Sequence, residues 1–351
     1  MNKKTIAVIF GGKSTEYSVS LESSYAVLSH MDTDQYDIYM IGINQKGEWF
    51  HFEGSIDMIQ NDTWQQDANH HVMICPEPTK QSVIEMTQIG IFYKHIDAIL
   101  PIMHGKNGED GTLQGLIQMS GIPLIGCGVL SSALCMDKQR AHDLVAKEGI
   151  LVPKSIHLSS QKKYHMKKSD ILKLQLPLYI KPIRSGSSYG ISRIESFENL
   201  DEAIMKAFEY DDEVIVEEEV NGFEVGCAVM GRDVLTVGRV DEIELSSGFF
   251  DFEEKYTLKT SKIHMPARIS AELEMKIQET AQLIYQILGC QVFARVDMFL
   301  TDHHEIVFNE VNTIPGFTAH SRYPNMMKGQ GIDFTSLITQ IIEMGLYNEN
   351  N

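Results

Sequence analysis

The sequence predicts an α/β protein in its first part and an α+β protein in the remainder. The chain has 351 residues, of which 43% are hydrophobic, so it can bury a large core divided over two or three domains. An apolar run followed by two glycines and a helical pattern opens the chain, and a pair of strand-like runs rich in charge lies near its end. These features predict a parallel α/β domain followed by antiparallel hairpins.

Composition excludes several classes of partner and location. The formal net charge of −18 makes nucleic acids and anionic membranes poor partners. Five scattered cysteines without a CxxC spacing are typical of reduced thiols in a cytoplasmic protein. No apolar run approaches the roughly 20 residues of a membrane span. The short run at residues 5–10 is ended by glycine, which indicates a first strand and not a signal peptide.

The strand at residues 5–10, Gly11-Gly12 and a helix over 20–30 resemble the start of a dinucleotide fold, with a ligand at the helix N-terminus. The sequence GGKSTE departs from G-x-G-x-x-G, so a nicotinamide cofactor is weakly supported. Glu16 stands at the start of this helix. Its carboxylate has two interpretations, which are stabilisation of the helix dipole and binding of a cationic substrate group.

Strands at 36–43, 95–103 and 123–126 and a helix over 112–121 predict a parallel, doubly wound first domain. The polar segment 53–94 has no clear pattern and is interpreted as an insertion. His104 follows a predicted strand at its carboxyl end, where such folds bind ligands. A substrate contact and a loop-anchoring hydrogen bond are equal alternatives for this histidine.

The middle of the chain carries candidate phosphate-binding groups. A single helix over 131–149 contains Lys138, and a strand at 178–182 contains Lys181. The loop RSGSSYG at 184–190 lacks the P-loop pattern, but its amides and the hydroxyls of Ser187 and Ser188 can cover a polyphosphate. A flexible hairpin turn is the alternative.

An amphipathic helix is predicted over 200–208. The strand over 213–220 that follows contains three consecutive glutamates, and Glu224 comes after it. One of the three, together with Glu224, can accept hydrogen bonds from an adenine amino group or a ribose. Beyond them the pattern predicts a hairpin at 225–240, an irregular segment at 246–262, a core-packed helix over 271–289 and a last helix over 335–346.

Two strand-like runs, 294–300 and 305–311, flank a polar turn. Alternation places Arg295 and Asp297 on one face, and Glu310 and Asn312 on one face with Phe308. If the runs pair, two carboxylates and an amide oxygen converge beside an arginine. These oxygen ligands suit Mg²⁺, and the arginine can neutralise charge in a transition state. The alternative is a hairpin whose exposed face happens to be charged.

Several ordered motifs agree on one family. GGKSTEYSVS, HGKNGEDGTLQG, MDK, IKP with RSGSSYG, EEKY, ARVD and NEVNTIPGFTAHSRYP together resemble the D-alanine–D-alanine ligase family of ATP-grasp enzymes. The resemblance covers essentially the whole chain. It implies an ATP-grasp fold with an N-terminal Rossmann-like domain at 1–128, a central subdomain at 129–217, and a C-terminal subdomain at 218–351 with a mobile loop at 246–262.

The same resemblance implies an activity. A D-alanine carboxylate attacks the γ-phosphate of ATP, and a second substrate's amine then displaces phosphate from the acyl phosphate. The resemblance also implies ATP as the nucleotide, two Mg²⁺ ions that Mn²⁺ can replace, and a cytoplasmic homodimer. The implied ATP-binding residues are Lys138, Lys181, Ser188, Glu217, Glu218, Val220, Glu224 and Lys255. The metal ligands are Asp297, Glu310 and Asn312, and the catalytic residues are Glu16, Ser187, Tyr256, Arg295, Gly316 and Ser321.

The second substrate is a finer question, for which His104, Asp241, Phe250 and Arg322 are the implied substrate-binding residues. Phe250, Arg322 and Asp241 match the serine-selective subgroup found in vancomycin-resistance systems, so D-serine is expected. The alternative is that Arg322 forms a salt bridge behind the pocket and the enzyme is a housekeeping D-alanine–D-alanine ligase. An NAD-dependent oxidoreductase would leave the motifs at 294–324 unexplained. An inactive nucleotide-binding module would be expected to lose some metal or phosphate groups, yet every one matches the family.

Overall fold

The computed structural model describes residues 3–68, 70–186, 189–245, 261–318 and 320–347. The described strands form three sheets, each from one contiguous part of the chain. Among the described helices none has the length and apolar character needed to cross a membrane.

The first sheet has seven strands in the order β6-β5-β4-β3-β2-β1-β7. Only β2, β1 and β7 run parallel, and the other four continue the sheet with antiparallel pairing. The elements of this part are β1 (Lys4–Gly11), α1 (Tyr17–Leu28), β2 (Tyr36–Ile43), β3 (Trp49–Phe52), α2 (Asp57–Gln60), β4 (His70–Ile74), β5 (Ser82–Thr87), β6 (Gly90–His95), β7 (Ala98–Ile102) and α3 (Thr112–Ser120).

Two expectations for this part were wrong. The segment 53–94 is not an insertion outside the sheet, because it supplies three of the antiparallel strands. The strand expected at 123–126 is reduced to a single bridge between Ile99 and Leu124. The fully buried β7, by contrast, is the parallel neighbour of β1 that its apolar pattern predicted.

The second sheet has the order β10-β9-β11-β8. Its elements are β8 (Ser155–Leu158), α6 (Gln161–Ile171), β9 (Leu178–Pro182), β10 (Ser192–Ile194), α7 (Leu200–Phe208) and β11 (Val214–Glu218). Before it come α4 (Val129–Met136) and α5 (Lys138–Lys147). The single helix expected over 131–149 was wrong, because Asp137 adopts an extended conformation and its carboxylate caps α5 by accepting the N–H of Arg140.

The third sheet is antiparallel, in the order β14-β13-β12-β15-β16. Its elements are β12 (Gly222–Gly231), β13 (Leu235–Leu245), β14 (Ser261–His264), α8 (Ala271–Ile287), β15 (Val292–Thr301), β16 (Ile306–Asn312), α9 (Arg322–Gly329) and α10 (Phe334–Leu346). Residues 261 and 262 therefore start a strand, although the sequence indicated an irregular segment there. The helix α9 was not predicted.

The cores cross the expected domain boundaries. Ala141 and Val145 of α5 pack in the core under the third sheet, together with Val225 and Val296. Apolar residues of α10 join the core of the first sheet. The division of the chain at residues 128 and 217 stays a prediction.

Candidate active site

A cavity of about 270 Å³ lies where the three parts of the chain meet. Its wall combines side chains from the loops after β1 and β7, from α5, and from strands β12, β15 and β16. The sequence placed candidate groups in each of these segments, and the fold brings many of them to one place. These lining residues include Glu16, His104, Lys138, Glu224, Arg295, Asp297, Glu310, Asn312, Gly316, Ser321 and Arg322.

The predicted pair of charged strands is confirmed, with one correction. Asp297 of β15 faces Glu310 of β16, and Arg295 faces Asn312. Between Asp297 and Met298 the register shifts, because Met298 pairs with Phe308 and Asn309 has no cross-strand partner. This β-bulge turns Phe308 into the core, so the expectation that Phe308 shares a face with Glu310 was wrong.

The carboxylate of Asp297 is the centre of this face. It accepts hydrogen bonds from Arg295 Nε at 2.8 Å and from Asn312 Nδ2 at 2.8 Å. Burial by itself would lower the pKa of Arg295, but the charge of Asp297, the hydrogen bond to it and the charge of Asp241 together raise that pKa. The arginine is therefore a permanent cation in the cavity wall.

The donor set of this face fits Mg²⁺. Asp297, Glu310 and Asn312 offer only oxygen atoms, and the amide nitrogen of Asn312 is turned to Asp297, which leaves its oxygen for a cation. Among the described residues no group of three His, Cys, Asp or Glu side chains could hold a metal ion. Mg²⁺ commonly binds through one or two carboxylates and completes its shell with phosphates and water, so this small set is sufficient only beside a phosphate.

The two lysines that the sequence indicated as candidate phosphate-binding groups are buried. Lys138 Nζ donates to the carbonyl of Ser185 at 2.9 Å and lies 3.6 Å from Glu310 Oε2. Lys181 Nζ lies 2.6 Å from Glu217 Oε2. Burial by itself would raise the pKa of Glu217, but Lys181 and the other cations around it lower that pKa. Glu217 is thus a buried carboxylate that stays charged.

The remaining predicted nucleotide groups are more dispersed. Glu218 Oε1 accepts from Lys154 Nζ at 2.7 Å, and its backbone N–H donates to the carbonyl of Lys154. Val220 lies in the link between β11 and β12. Glu224 lines the cavity, where its carboxylate accepts from Arg322 Nη1 at 2.7 Å. The structure therefore brings Glu224 to the cavity but leaves Glu218 in an ion pair beside it.

Glu16 projects into the cavity although it begins α1. Its carboxylate makes no capping hydrogen bond to the helix and is buried. It lies so close to Gly105 that a Cβ there would be 2.2 Å from Oε2, and a Cβ at Gly186 would be 2.8 Å away. Two glycines therefore make room for this carboxylate, which favours a role at the cavity over stabilisation of the helix alone.

His104 uses both ring nitrogens within the protein. Nδ1 donates to the carbonyl of Ile314 at 2.9 Å, and Nε2 is 3.1 Å from Ser23 Oγ. Burial lowers the pKa of His104 to about 4, so the ring is neutral and Nε2 accepts from the serine. This geometry favours the loop-anchoring alternative, in which the histidine fixes the segment after β16 against α1.

Glu109 is a cavity residue that did not enter the candidate set. Its carboxyl group accepts the N–H groups of Gly105 and Ile314, both at 2.9 Å. Burial and the nearby charge of Glu16 raise the pKa of Glu109 to about 8. Glu109 lies in HGKNGEDGTLQG, one of the motifs that resemble the family, but only the folded chain shows that its carboxyl group joins two loops.

Arg322 sits in a buried cluster of carboxylates. Nε and Nη2 donate to the two oxygens of Asp241, each at 2.8 Å, and Nη1 donates to Glu224 at 2.7 Å. Nη1 is also 3.3 Å from Asp297 Oδ1. The salt bridge that the sequence left as an alternative is present: Arg322 and Glu224 line the cavity, whereas Asp241 is not among its lining residues and is buried.

Gly316 and Ser321 line the other side of the cavity. Ser321 Oγ accepts the N–H of Thr318 at 2.9 Å, which folds this loop into a tight turn before α9. The predicted residues Ser187, Ser188, Phe250, Lys255 and Tyr256 lie outside the residues that the structure describes, as do residues 246–260 of the expected mobile loop.

Two family models match this chain. The model of the D-ala D-ala ligase N-terminus matches residues 5–127, and that of the D-ala D-ala ligase C-terminus matches residues 144–343. The chain belongs to the D-alanine–D-alanine ligase family. Its mixed α/β architecture is the ATP-grasp fold that the sequence resemblance implied.

Several differently named members of the family are similar to this chain. A D-alanine–D-alanine ligase of Caldicellulosiruptor bescii is 39% identical over 99% of this chain and 96% of its own length. The vancomycin C-type resistance protein VanC2 of Enterococcus casseliflavus is 39% identical over 97% of each chain. The crystal structure of the VanG D-Ala:D-Ser ligase from Enterococcus faecalis is 55% identical, superposes with a TM-score of 0.91, and covers 98% of this chain and 99% of its own.

Proposed function

We propose that this chain ligates D-alanine to D-serine with ATP, through a D-alanyl phosphate, to supply peptidoglycan precursors of the kind that confer vancomycin resistance. The observation that carries the ligase chemistry is the single cavity in which Glu16, Arg295 and the Asp297–Glu310 pair meet. Attack of a carboxylate on a phosphate brings negative charges together, so a site for this reaction needs fixed cations.

The chain's own residues divide the task. The buried Lys138 and Lys181 would bind the phosphates of ATP, and Glu16, which is buried and lines the cavity, would take the ammonium group of the first D-alanine. Asp297, Glu310 and Asn312 would hold Mg²⁺, which neutralises phosphate charge when bound. Arg295, kept charged by Asp297, would face the oxyanion that forms at the D-alanyl carbonyl.

Two observations support D-serine as the second substrate. The VanG D-Ala:D-Ser ligase of Enterococcus faecalis is 55% identical in sequence to this chain. In the cavity wall, hydrogen bonds to Asp241 and Glu224 use three of the five N–H donors of Arg322 and fix its plane. The remaining hydrogens can donate to a substrate hydroxyl, and such a contact would leave a donor unpaired when D-alanine binds.

The decisive experiment offers the enzyme ATP, Mg²⁺ and an equimolar mixture of D-alanine and D-serine. We expect ADP release that depends on D-alanine, and D-Ala-D-Ser as the main dipeptide by mass spectrometry. A predominance of D-Ala-D-Ala would make the chain a housekeeping ligase. ATP binding without ADP release would leave an inactive nucleotide-binding module, and NADH binding without ATP turnover would favour an oxidoreductase.

We also propose a homodimer in the cytoplasm. The five cysteines are free and buried, which suits a reducing compartment. Cross-strand pairing puts Met73, Met86, Ile91 and Tyr93 on one face of β4–β6, and all four are exposed. Among the described strands β6 ends its sheet, so its outer edge is open for antiparallel pairing with a second copy about a two-fold axis.

The low net charge of this surface favours self-association, because two copies would not repel each other there. Residues 70–95 contain two lysines and two glutamates, so their formal charge is zero, whereas the whole chain carries −18. Sedimentation velocity should show a wild-type dimer and an Ile91→Lys monomer, with Val234→Lys as a matched control at another exposed apolar site. A monomeric wild type, or a dimeric Ile91→Lys protein, would refute this surface.

A further inference from the structure

The bulge in β16 occurs at Asn309, whose carbonyl group is contacted by a side chain from outside the sheet. Asn309 has no cross-strand partner on β15, and β16 is the last strand of its sheet among the described residues. The next residue along the strand, Glu310, is held opposite Asp297 only while this bulge keeps its shape. The carbonyl of Asn309 is therefore a point at which the metal face can be stabilised or lost.

His142 of α5 meets that carbonyl. Its Nε2 lies 2.8 Å from the oxygen of Asn309, and the ring packs edge-on against Phe308 with centroids 5.4 Å apart. A carbonyl oxygen can only accept, so Nε2 carries the hydrogen. His142 thus contacts both residues at the bulge: Phe308, which is turned into the core, and Asn309, which has no cross-strand partner.

The opposite edge of the His142 ring faces Glu217 of β11. Nδ1 lies 3.5 Å from Glu217 Oε1, and the other oxygen of this carboxylate is bound to Lys181. Both Nδ1 and Oε1 are buried, and neither has a hydrogen-bond partner among the described residues. The ring is buried between β11 and β16, and the hydrogen bond from Nε2 to Asn309 orients it.

We propose that His142 is a positioning residue, which holds the Asn309 bulge through Nε2 and thereby keeps Glu310 opposite Asp297 as a metal ligand. The inference rests on the metal site of the proposed function. It assigns no contact between His142 and substrate. Groups that orient a metal ligand typically change metal affinity by roughly 10–100-fold when they are removed.

The test compares side chains that keep or lose the donor at the Nε2 position. His142→Gln can place its amide N–H near the Asn309 carbonyl, whereas the shorter His142→Asn cannot reach it. Binding of Mn²⁺ in the presence of ADP is measured from the decrease of the EPR signal of free Mn²⁺. This titration gives a dissociation constant without turnover. We expect His142→Gln to stay within about threefold of wild type and His142→Asn to bind Mn²⁺ roughly tenfold more weakly.

Controls separate this role from a general loss of structure. His157→Leu removes another histidine that pairs with a carboxylate, Glu213, but does not touch β16, and it should leave the Mn²⁺ constant unchanged. A folded His142→Asn protein with the wild-type constant would overturn the inference, and so would a His142→Gln protein as weak as His142→Asn. Failure of the proposed function would instead appear as a wild type that binds Mn²⁺ and ADP but forms no dipeptide.

Discussion

Replacement of Arg322 by leucine tests whether the cavity wall depends on its buried ion cluster. The change would leave Asp241, whose side chain is 1% exposed, without its two guanidinium bonds. Glu224 would lose its 2.7 Å partner at the same time. The cavity wall would then contain buried carboxylates without a compensating cation, since Arg295 is committed to Asp297.

Breaking a buried ion pair by removing one partner costs about 3–5 kcal/mol. We expect Arg322→Leu to lower the free energy of unfolding by this amount. The double variant Arg322→Leu/Asp241→Asn should recover about 1–3 kcal/mol, because the amide is neutral and still accepts the N–H of Gly226. The pair Lys276–Glu272, in which both side chains are exposed, provides a control, and Lys276→Leu should cost less than about 1 kcal/mol.

The measurement is equilibrium unfolding in urea, with the m-value checked for constancy. An Arg322→Leu protein within about 1 kcal/mol of wild type would refute the structural role of the cluster. For the same variants, kcat/KM with D-serine and with D-alanine tests the specificity role. If serine selectivity depends on Arg322, the ratio should fall roughly tenfold or more in the double variant as well, where stability is partly restored.

Three further predictions follow from single contacts. Glu310→Gln should reduce turnover by at least about a hundredfold with little change in unfolding, and near-normal ADP release at saturating Mg²⁺ would contradict the metal assignment. Lys181→Met should raise the KM for ATP and destabilise the buried Glu217, whereas Lys154→Met, at an exposed pair, should stay within about 1 kcal/mol of wild type. Glu109 has a pKa raised to about 8 in the folded state, so its stabilising contribution is complete below its ordinary value of 4.5 and is lost as pH rises through 8. Glu109→Gln should remove this slope, of up to about 1.4 kcal/mol per pH unit, from urea unfolding measured between pH 6 and 8.

Local pattern was sufficient for most elements of the fold. The strands Tyr36–Ile43 and Leu178–Pro182 and the helix Leu200–Phe208 have the bounds that their apolar periodicity predicted. The paired strands β15 and β16 were likewise predicted from alternation and the turn between them. Such features depend on neighbours in sequence, so the chain alone determines them.

The sequence also determined the family, because ordered motifs along the whole chain are specific without any coordinates. It selected cavity residues by type, since oxygen ligands for a hard cation and lysines for phosphate have few substitutes. It could not say how these groups pair. Arg322 was assigned to substrate, and only the fold shows that Asp241, 81 positions away in sequence, holds two of its nitrogens.

Only the tertiary structure shows where a contact with a residue far away in sequence changes the strand or helix that the local pattern predicts. The bulge at Asn309 reverses the faces of β16, because core packing of Phe308 and the bond from His142 stabilise the extra residue. The break between α4 and α5 at Asp137 is a second example. Helix propensity predicted one continuous helix there, but the carboxylate of Asp137 caps the start of α5. A period-two or helical pattern carries no information about a partner from another part of the chain, and in this protein such partners shape the site.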